Sequence, residues 1–550
     1  MDTTRVLIAV VLSLVLVFAY QELVLKRMYP PPDEQEAATP TVTPPAAAPG
    51  APMLAEPAMP LAVGPDLSSV TAAPERNIEV ETDLYIAVFT TRGARLKSFR
   101  LKRYTKGVSP ESGLYEMVET DRKGELPLGL AMGVGDGVAD DAALVYTSEA
   151  PDGTRLSATG SARVVFTAQT EAGAQLQKAF TFTGGSYVFT VDASVAGAAP
   201  TALGLSLEEH LRTRADSYDV AEFQAEVQGK TTNQSLAGLE EQLAPLTGKV
   251  TYAGFGDRYF LSAFLPETAA AGTVRAIVKG DEASMQLVFE GATEIRSLVY
   301  MGPKRLEVLE EVNPALSSAI DFGWTGILAL PMLRTLKLFQ YLSPNWGVDI
   351  ILLTIVLRIV ILPMSIKSQR SMMRMQRLQP QMQRLREKLK DEPEKLNREM
   401  MDLYKRNHVN PLGGCLPMLI QLPIFVGLYQ ALLNSIELRH APFVLWMNDM
   451  SAADCLHVSW MPMIPYTACA GIPVLVILMG LSTFAQQWMT PTSPDPQQQR
   501  MMMLMPIVFT VLLINFPAGL SLYYFSSNVL GIIQQLFLNR EFRQQTPVTA

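Results

Sequence analysis

One arginine sits where a charge is expensive. Residues 348–364 are apolar except for Asp349 near the start and Arg358, and as a helix the run is long enough to cross much of a bilayer. Arg358 lies about 15 Å past Val348 at about 1.5 Å per residue, close to mid-depth. A guanidinium there costs at least about 2.5 kcal/mol unless water or a polar partner reaches it. The bland alternative is a side chain that snorkels to the near surface. The sharper one is a wet intramembrane site that holds water and counter-charge.

Other chemistries find no foothold. The chain has 550 residues and a net charge of −8, which argues against a general nucleic-acid binder. Four scattered histidines offer no metal-ligand spacing, so no metal or cofactor is expected. There is no P-loop, dinucleotide turn or nucleophile elbow, hence no covalent or nucleotide-driven enzyme. The acids Glu208, Glu209, Asp216, Asp219 and Glu222 read as a solvated edge rather than a glycosidase pair.

The elements that must position Arg358 divide the chain. Residues 1–28 read as an uncleaved transmembrane signal anchor, since Tyr20-Gln21-Glu22 follows the apolar core where a cleavage site needs small residues. Residues 29–75 are a Pro- and Ala-rich extended linker. Residues 76–320 carry many short alternating segments, among them 162–170, 176–183, 187–195, 274–279 and 284–290, which predict an all-β sandwich. A helix over 305–312 closes that domain. Residues 321–345 predict an interfacial amphipathic helix with Met332, Leu333, Leu336 and Phe339 on one face.

The helix bearing Arg358 is assigned to 346–366. Residues 367–410 form a basic helical hairpin: with the next four residues they hold twelve Lys or Arg against six acids, which marks the cytoplasmic side. Met375, Leu378, Met382, Leu385 and Leu389 make a heptad-like seam. Asp391 and Glu394 have the spacing of a capping box for the second arm. Met375, Met382 and Met400 offer flexible thioethers to apolar sequences, or else fill the seam. Further spans are placed at 411–435, 471–488, 501–517 and 518–539, with loops at 436–470 and 489–500 and a short tail at 540–550. Counting spans puts both termini inside and the β domain outside. Cys455 and Cys469 then share the oxidising side as a candidate disulfide, with Cys415 on the other face.

No Asp, Glu or Lys matches Arg358 in depth; amides, hydroxyls and phenols are what the other spans supply. A solute transporter with an extracytoplasmic binding domain, the rival function, predicts an intramembrane acid or inverted repeats, and neither is visible.

The run Asn410-Pro411-Leu412-Gly413-Gly414-Cys415-Leu416-Pro417 through Phe425, the mid-helix arginine, Tyr300-Met301-Gly302-Pro303-Lys304, and Phe516-Pro517-Ala518-Gly519 through Asn528 closely resemble the YidC family of membrane protein insertases. The resemblance covers 322–538, and the anchor with its large β domain looks like the Gram-negative version. It implies a five-helix insertase core plus the N-terminal anchor helix, in an α-helical polytopic membrane bundle with an all-β supersandwich-like periplasmic domain. It implies an inner-membrane chaperone that moves nascent transmembrane segments through a hydrophilic groove, alone or beside the Sec translocon. By the same resemblance Arg358, Thr354, Gln421, Phe425, Tyr523 and Tyr524 are substrate-groove positions. The hairpin, with Asp391 at its tip, meets substrate or the signal recognition particle and its receptor. Some members reach the ribosome through a long basic tail; here the sequence stops soon after Arg543, so tail-based contact is not expected.

Overall fold

A computed structural model describes residues 74–118, 126–134, 137–210, 221–236, 242–267, 271–280, 282–390, 392–407, 409, 416–458, 460, 471–489 and 496–544. The signal anchor and residues 29–73 of the linker lie outside the described residues, as do Asp216, Asp219, Asp391, Cys415 and Cys469. The chain divides into two compact units at Ile320/Asp321.

The first unit is β. An eight-stranded sheet runs Lys230–Ser235, Glu222–Val227, Val250–Gly256, Phe260–Pro266, Glu294–Pro303, Val188–Ala196, Gln175–Thr183 and Ser161–Gln169. A six-stranded sheet and a five-stranded sheet complete it. Val188–Ala196 alternates half-buried and buried side chains, the signature of one covered face. Phe260–Pro266 is buried almost throughout, as a central strand should be. Phe89, Phe166, Phe180 and Phe182 fill the core, with Phe89 and Phe180 ring centroids 4.6 Å apart. The long strand Arg95–Thr105 carries five basic residues and was not legible as a strand; Arg95, Leu96, Phe99 and Leu101 are its buried members.

A buried ionic knot ties the three sheets. Lys178, fully buried on Gln175–Thr183, donates to Asp141 Oδ2 at 2.6 Å and to the Gly93 and Leu128 carbonyls at 2.7 and 2.9 Å. Asp141 also accepts from Tyr146 OH at 2.9 Å and from the Leu130 N–H at 3.0 Å. Arg95 bonds Asp141 at 3.3 Å and Asp140 more closely. Desolvation pushes the Lys178 ammonium below its ordinary range, with Asp141 opposing the shift. The acids Glu208 and Glu222 stand on strands of different sheets.

Helix α1, Leu306–Val312, closes this unit. In the second unit α2 spans Gly326–Phe339, α3 Trp346–Lys388, α4 Pro393–Arg406, α5 Leu416–Leu433, α6 Val474–Met489, α7 Pro496–Leu512 and α8 Ala518–Gln544. Among the described residues α3 is long and apolar enough to cross a membrane, while 420–433, 474–489 and 503–512 are shorter apolar stretches.

One boundary differs from expectation. The α3 helix does not stop at 366; its 43 residues continue into the first hairpin arm through Pro363 and Pro380. Hydropathy marks where the apolar face ends, not where the backbone ladder ends, so the sequence shortened it. Asp391 of the expected capping box lies outside the described residues; the N-cap of α4 is Glu392, with no side-chain cap bond, and Pro393 sets the start. The apolar face of α2 is covered by protein, with Met332, Leu333 and Leu336 buried. It packs on α5 so tightly that a Cβ at Gly427 would lie 2.8 Å from Leu328 Cβ. Lys337 anchors it to Glu437 at 2.8 Å. Ile327 and Leu338 remain exposed.

Candidate functional site

The site is built on the packing of α3 against α8. Asn345 caps α3, its side-chain oxygen accepting from the Gly347 and Val348 N–H groups at 3.0 and 3.3 Å. From there α3 and α8 run side by side in one direction and in constant register. Ile350 meets Gly519, Arg358 meets Ser527, and Ser365 meets Gln534. Each pair is 169 residues apart, which parallel helices in contact over several turns require. Helices α6 and α8 repeat the pattern. Asn528 donates to Ser482 Oγ at 3.0 Å and Thr483 Oγ1 at 2.8 Å, and Gln535 reaches the Met489 carbonyl.

The Arg358 side chain reaches across to α8. Its Nε donates to Ser527 Oγ at 3.0 Å, and Nη2 donates to the Ser527 carbonyl. The acceptor stands level with it on the neighbouring helix, so the guanidinium is held at its own level on α3. Among the described residues it forms no ion pair. Gly531, one turn beyond Ser527, gives it room: a Cβ there would sit 3.1 Å from Arg358 Nη2 and would also press on Gln486. A half-buried guanidinium with two of five N–H groups engaged keeps capacity for water or a passing acceptor.

Four other expected positions gather on the same stretch of α8. Gln421 of α5 donates to Tyr523 OH at 2.6 Å. Phe425 packs edge-on to Tyr524 at 5.6 Å, and Phe509 of α7 lies 5.0 Å from Tyr524. Tyr523 and Tyr524 meet at 5.9 Å. Below them Val476, Met479 and Leu513 form an apolar floor. The result is a polar side, Arg358–Ser527–Gln421–Tyr523, against an aromatic side. Thr354 is placed differently. It is fully buried, and its hydroxyl turns back to the Ile350 carbonyl at 2.7 Å, as a mid-helix threonine does to satisfy itself.

Reasoning from residue types missed Ser527, Ser482, Thr483 and Gln486 as members of this network. The available signal was the density of hydroxyls and amides on an apolar helix, which must find partners when buried. Asp349 is also fully buried, and both its carboxylate oxygens lack a hydrogen-bond partner among the described residues.

In the hairpin, Met382 is buried in the seam with Leu378, Tyr404 and Val409, and Met375, Met400 and Leu403 pack on that cluster. Tyr404 OH points to Met382 Sδ at 3.7 Å, and burial lifts the Tyr404 phenol above its ordinary range. These thioethers fill the hairpin; the methionine it leaves exposed is Met401. Cys455 is disulfide-bonded, and its expected partner Cys469 lies outside the described residues.

The sequence matches two family models: "60Kd inner membrane protein" over residues 337–545 and "YidC periplasmic domain" over residues 77–335. A membrane protein insertase YidC from Geotalea daltonii is 36% identical, covering 98% of this chain and 99% of its own. One from Syntrophobacter fumaroxidans is 37% identical over 98% and 99%. Among solved structures, an active YidC insertase with its first transmembrane domain resolved aligns over 87% of this chain and 95% of its own, at 19% identity and a TM-score of 0.36.

Proposed function

The chain belongs to the YidC family of membrane protein insertases, and from that premise we propose how its parts carry a nascent segment into the inner membrane. It is an insertase; the solute-transporter alternative finds no support among its relatives. In the proposal α3, α5, α6, α7 and α8 are the five spans of the core, with the N-terminal anchor as a sixth. The shared direction of α3, α6 and α8 supports this, since alternating crossings of five consecutive spans demand it. The β domain then faces the periplasm, and both termini and the hairpin face the cytosol.

The observation that carries the mechanism is Arg358 held by a neutral partner. A carboxylate would quench the charge; Ser527 only orients it. The guanidinium therefore keeps field and donors for the polar flank of an arriving segment. Its apolar part slides along Phe425, Phe509 and Tyr524 and partitions into lipid, driven by the hydrophobic effect without covalent chemistry or nucleotide hydrolysis. Thr354 supports the wall from inside. The hairpin, stiffly continuous with α3, presents Met401 and its basic face to substrate and to the signal recognition particle and its receptor. Nascent membrane proteins are the substrates; the Sec translocon and the ribosome are proposed partners by family kinship.

The test is photocrosslinking from position 425 or 524 to a ribosome-arrested single-span protein. Adducts are expected while the span is partly emerged, and their absence at normal expression overturns the groove.

A further inference from the structure

The loop after α5 is built to present an apolar tip. Residues 441–450 close on themselves: Met450 N–H bonds the Ala441 carbonyl at 3.1 Å, Phe443 N–H the Met447 carbonyl at 2.8 Å, and Met447 N–H the Val444 carbonyl at 3.2 Å. The base is fastened at two places. Asn345, the cap of α3, donates its side-chain amide to the Phe443 carbonyl at 3.0 Å. The Gly519 N–H of α8 bonds the Met450 carbonyl at 2.9 Å. Met447 and Met450 are buried beneath. Such a loop cannot fold its tip inward.

At that tip Val444 and Leu445 are 47% and 77% exposed, although both are apolar. Leu445 holds a left-handed backbone, φ +58°, which a branched side chain rarely adopts and which Asn or Gly accepts readily. A soluble loop has no reason to place leucine there. The tip stands at the level where α3 begins, because the cap of α3 is itself the fastening. At the same end of α3, Tyr341 and Leu342 of the α2–α3 corner are 89% and 77% exposed, and Val348 on the first turn of α3 is exposed too.

We propose that Val444 and Leu445 insert into the acyl region of the outer leaflet, forming with Tyr341 and Leu342 a collar that fixes the height of α3 in the membrane. The occupant is lipid because the loop is fastened to the start of α3, whose exposed apolar residues begin at Val348; this rests on the reading of α3 as a membrane span. The collar sets the depth of Arg358, since the helix between them is unbroken.

The test places a benzophenone amino acid at position 445 or at position 360, where Val360 is 71% exposed on α3, in the full chain in native membrane vesicles. After irradiation, adducts are identified by mass. Phospholipid adducts at both positions are expected. Lipid at 360 with none at 445, or with a protein adduct at 445, overturns the collar and leaves the span intact. No lipid at either position overturns the span as well. A Leu445→Asn variant, which suits the left-handed backbone, should keep the thermal stability of the protein in detergent and lose lipid adducts from a probe at 444; retained adducts overturn the proposal.

Discussion

Replacing Arg358 separates function from stability, because the two effects have opposite signs. Arg358→Ala removes two interhelical hydrogen bonds, Nε to Ser527 Oγ at 3.0 Å and Nη2 to the Ser527 carbonyl. Intramembrane hydrogen bonds average about 0.6 kcal/mol and reach about 1.7, so the pair contributes roughly 1–3 kcal/mol to the packing of α3 on α8. The same substitution lifts a guanidinium out of mid-membrane, relieving at least about 2.5 kcal/mol. The sum lies within about 1–2 kcal/mol of zero, so Arg358→Ala should melt within a few degrees of the parent in detergent. Insertion should nevertheless collapse, because among the described residues no other cation meets Ser527. The assay is protease protection of a single-span substrate with a polar flank, using proteoliposomes that hold equal amounts of each variant. Arg358→Lys keeps charge without the fork and should retain part of the activity. Ser527→Ala leaves the carbonyl contact and should retain most. A large stability loss that tracks the activity loss would make Arg358 a structural tie, and full activity in Arg358→Ala would make it a passenger; either refutes the reasoning.

Other perturbations have equally definite outcomes. Gly531→Val crowds Arg358 Nη2 and Gln486 without touching charge, so insertion in the same assay should fall while expression holds. Lys178→Met leaves the buried Asp141 with Arg95 as its one cationic partner and takes the donor from two buried carbonyls, and should cost the β domain about 3 kcal/mol in urea unfolding of the full chain followed by periplasmic proteolysis. Tyr252, fully buried against Ser318, has its phenol pushed by desolvation from 10.0 up to about 12. The unfolded chain ionises first, so its contribution is complete below pH 10 and is lost as the pH rises to about 12. Alkaline melts should lose about 3 kcal/mol from this group, and Tyr252→Phe should flatten that part of the profile. Maleimide should label Cys415 but neither Cys455 nor Cys469 until a reductant is added, and Cys469→Ser should free Cys455.

Much of the architecture is written in local pattern. The apolar run around Arg358, the alternation in strands such as Val188–Ala196, and the seam of the hairpin are periodicities that each segment shows by itself. The motif from Asn410 to Phe425 and the polar last helix carry the family. Strands rich in Lys, Arg, Thr and Asn, such as Arg95–Thr105 and Lys230–Ser235, escaped because their burial depends on which sheet they join.

The sequence by itself determined that a cation lies deep in an apolar helix with no acid to neutralise it, and hence that something polar must come to it. Which group comes was decided by tertiary structure. Ser527 is 169 residues away, and half its contribution is a backbone carbonyl that every residue possesses. The same holds for Met382, readable as a contact surface until the second arm covers it, and for Thr354, readable as a groove hydroxyl until it turns back on its own helix. Residue type fixes what a group can do; the faces that helices turn to one another fix what it meets.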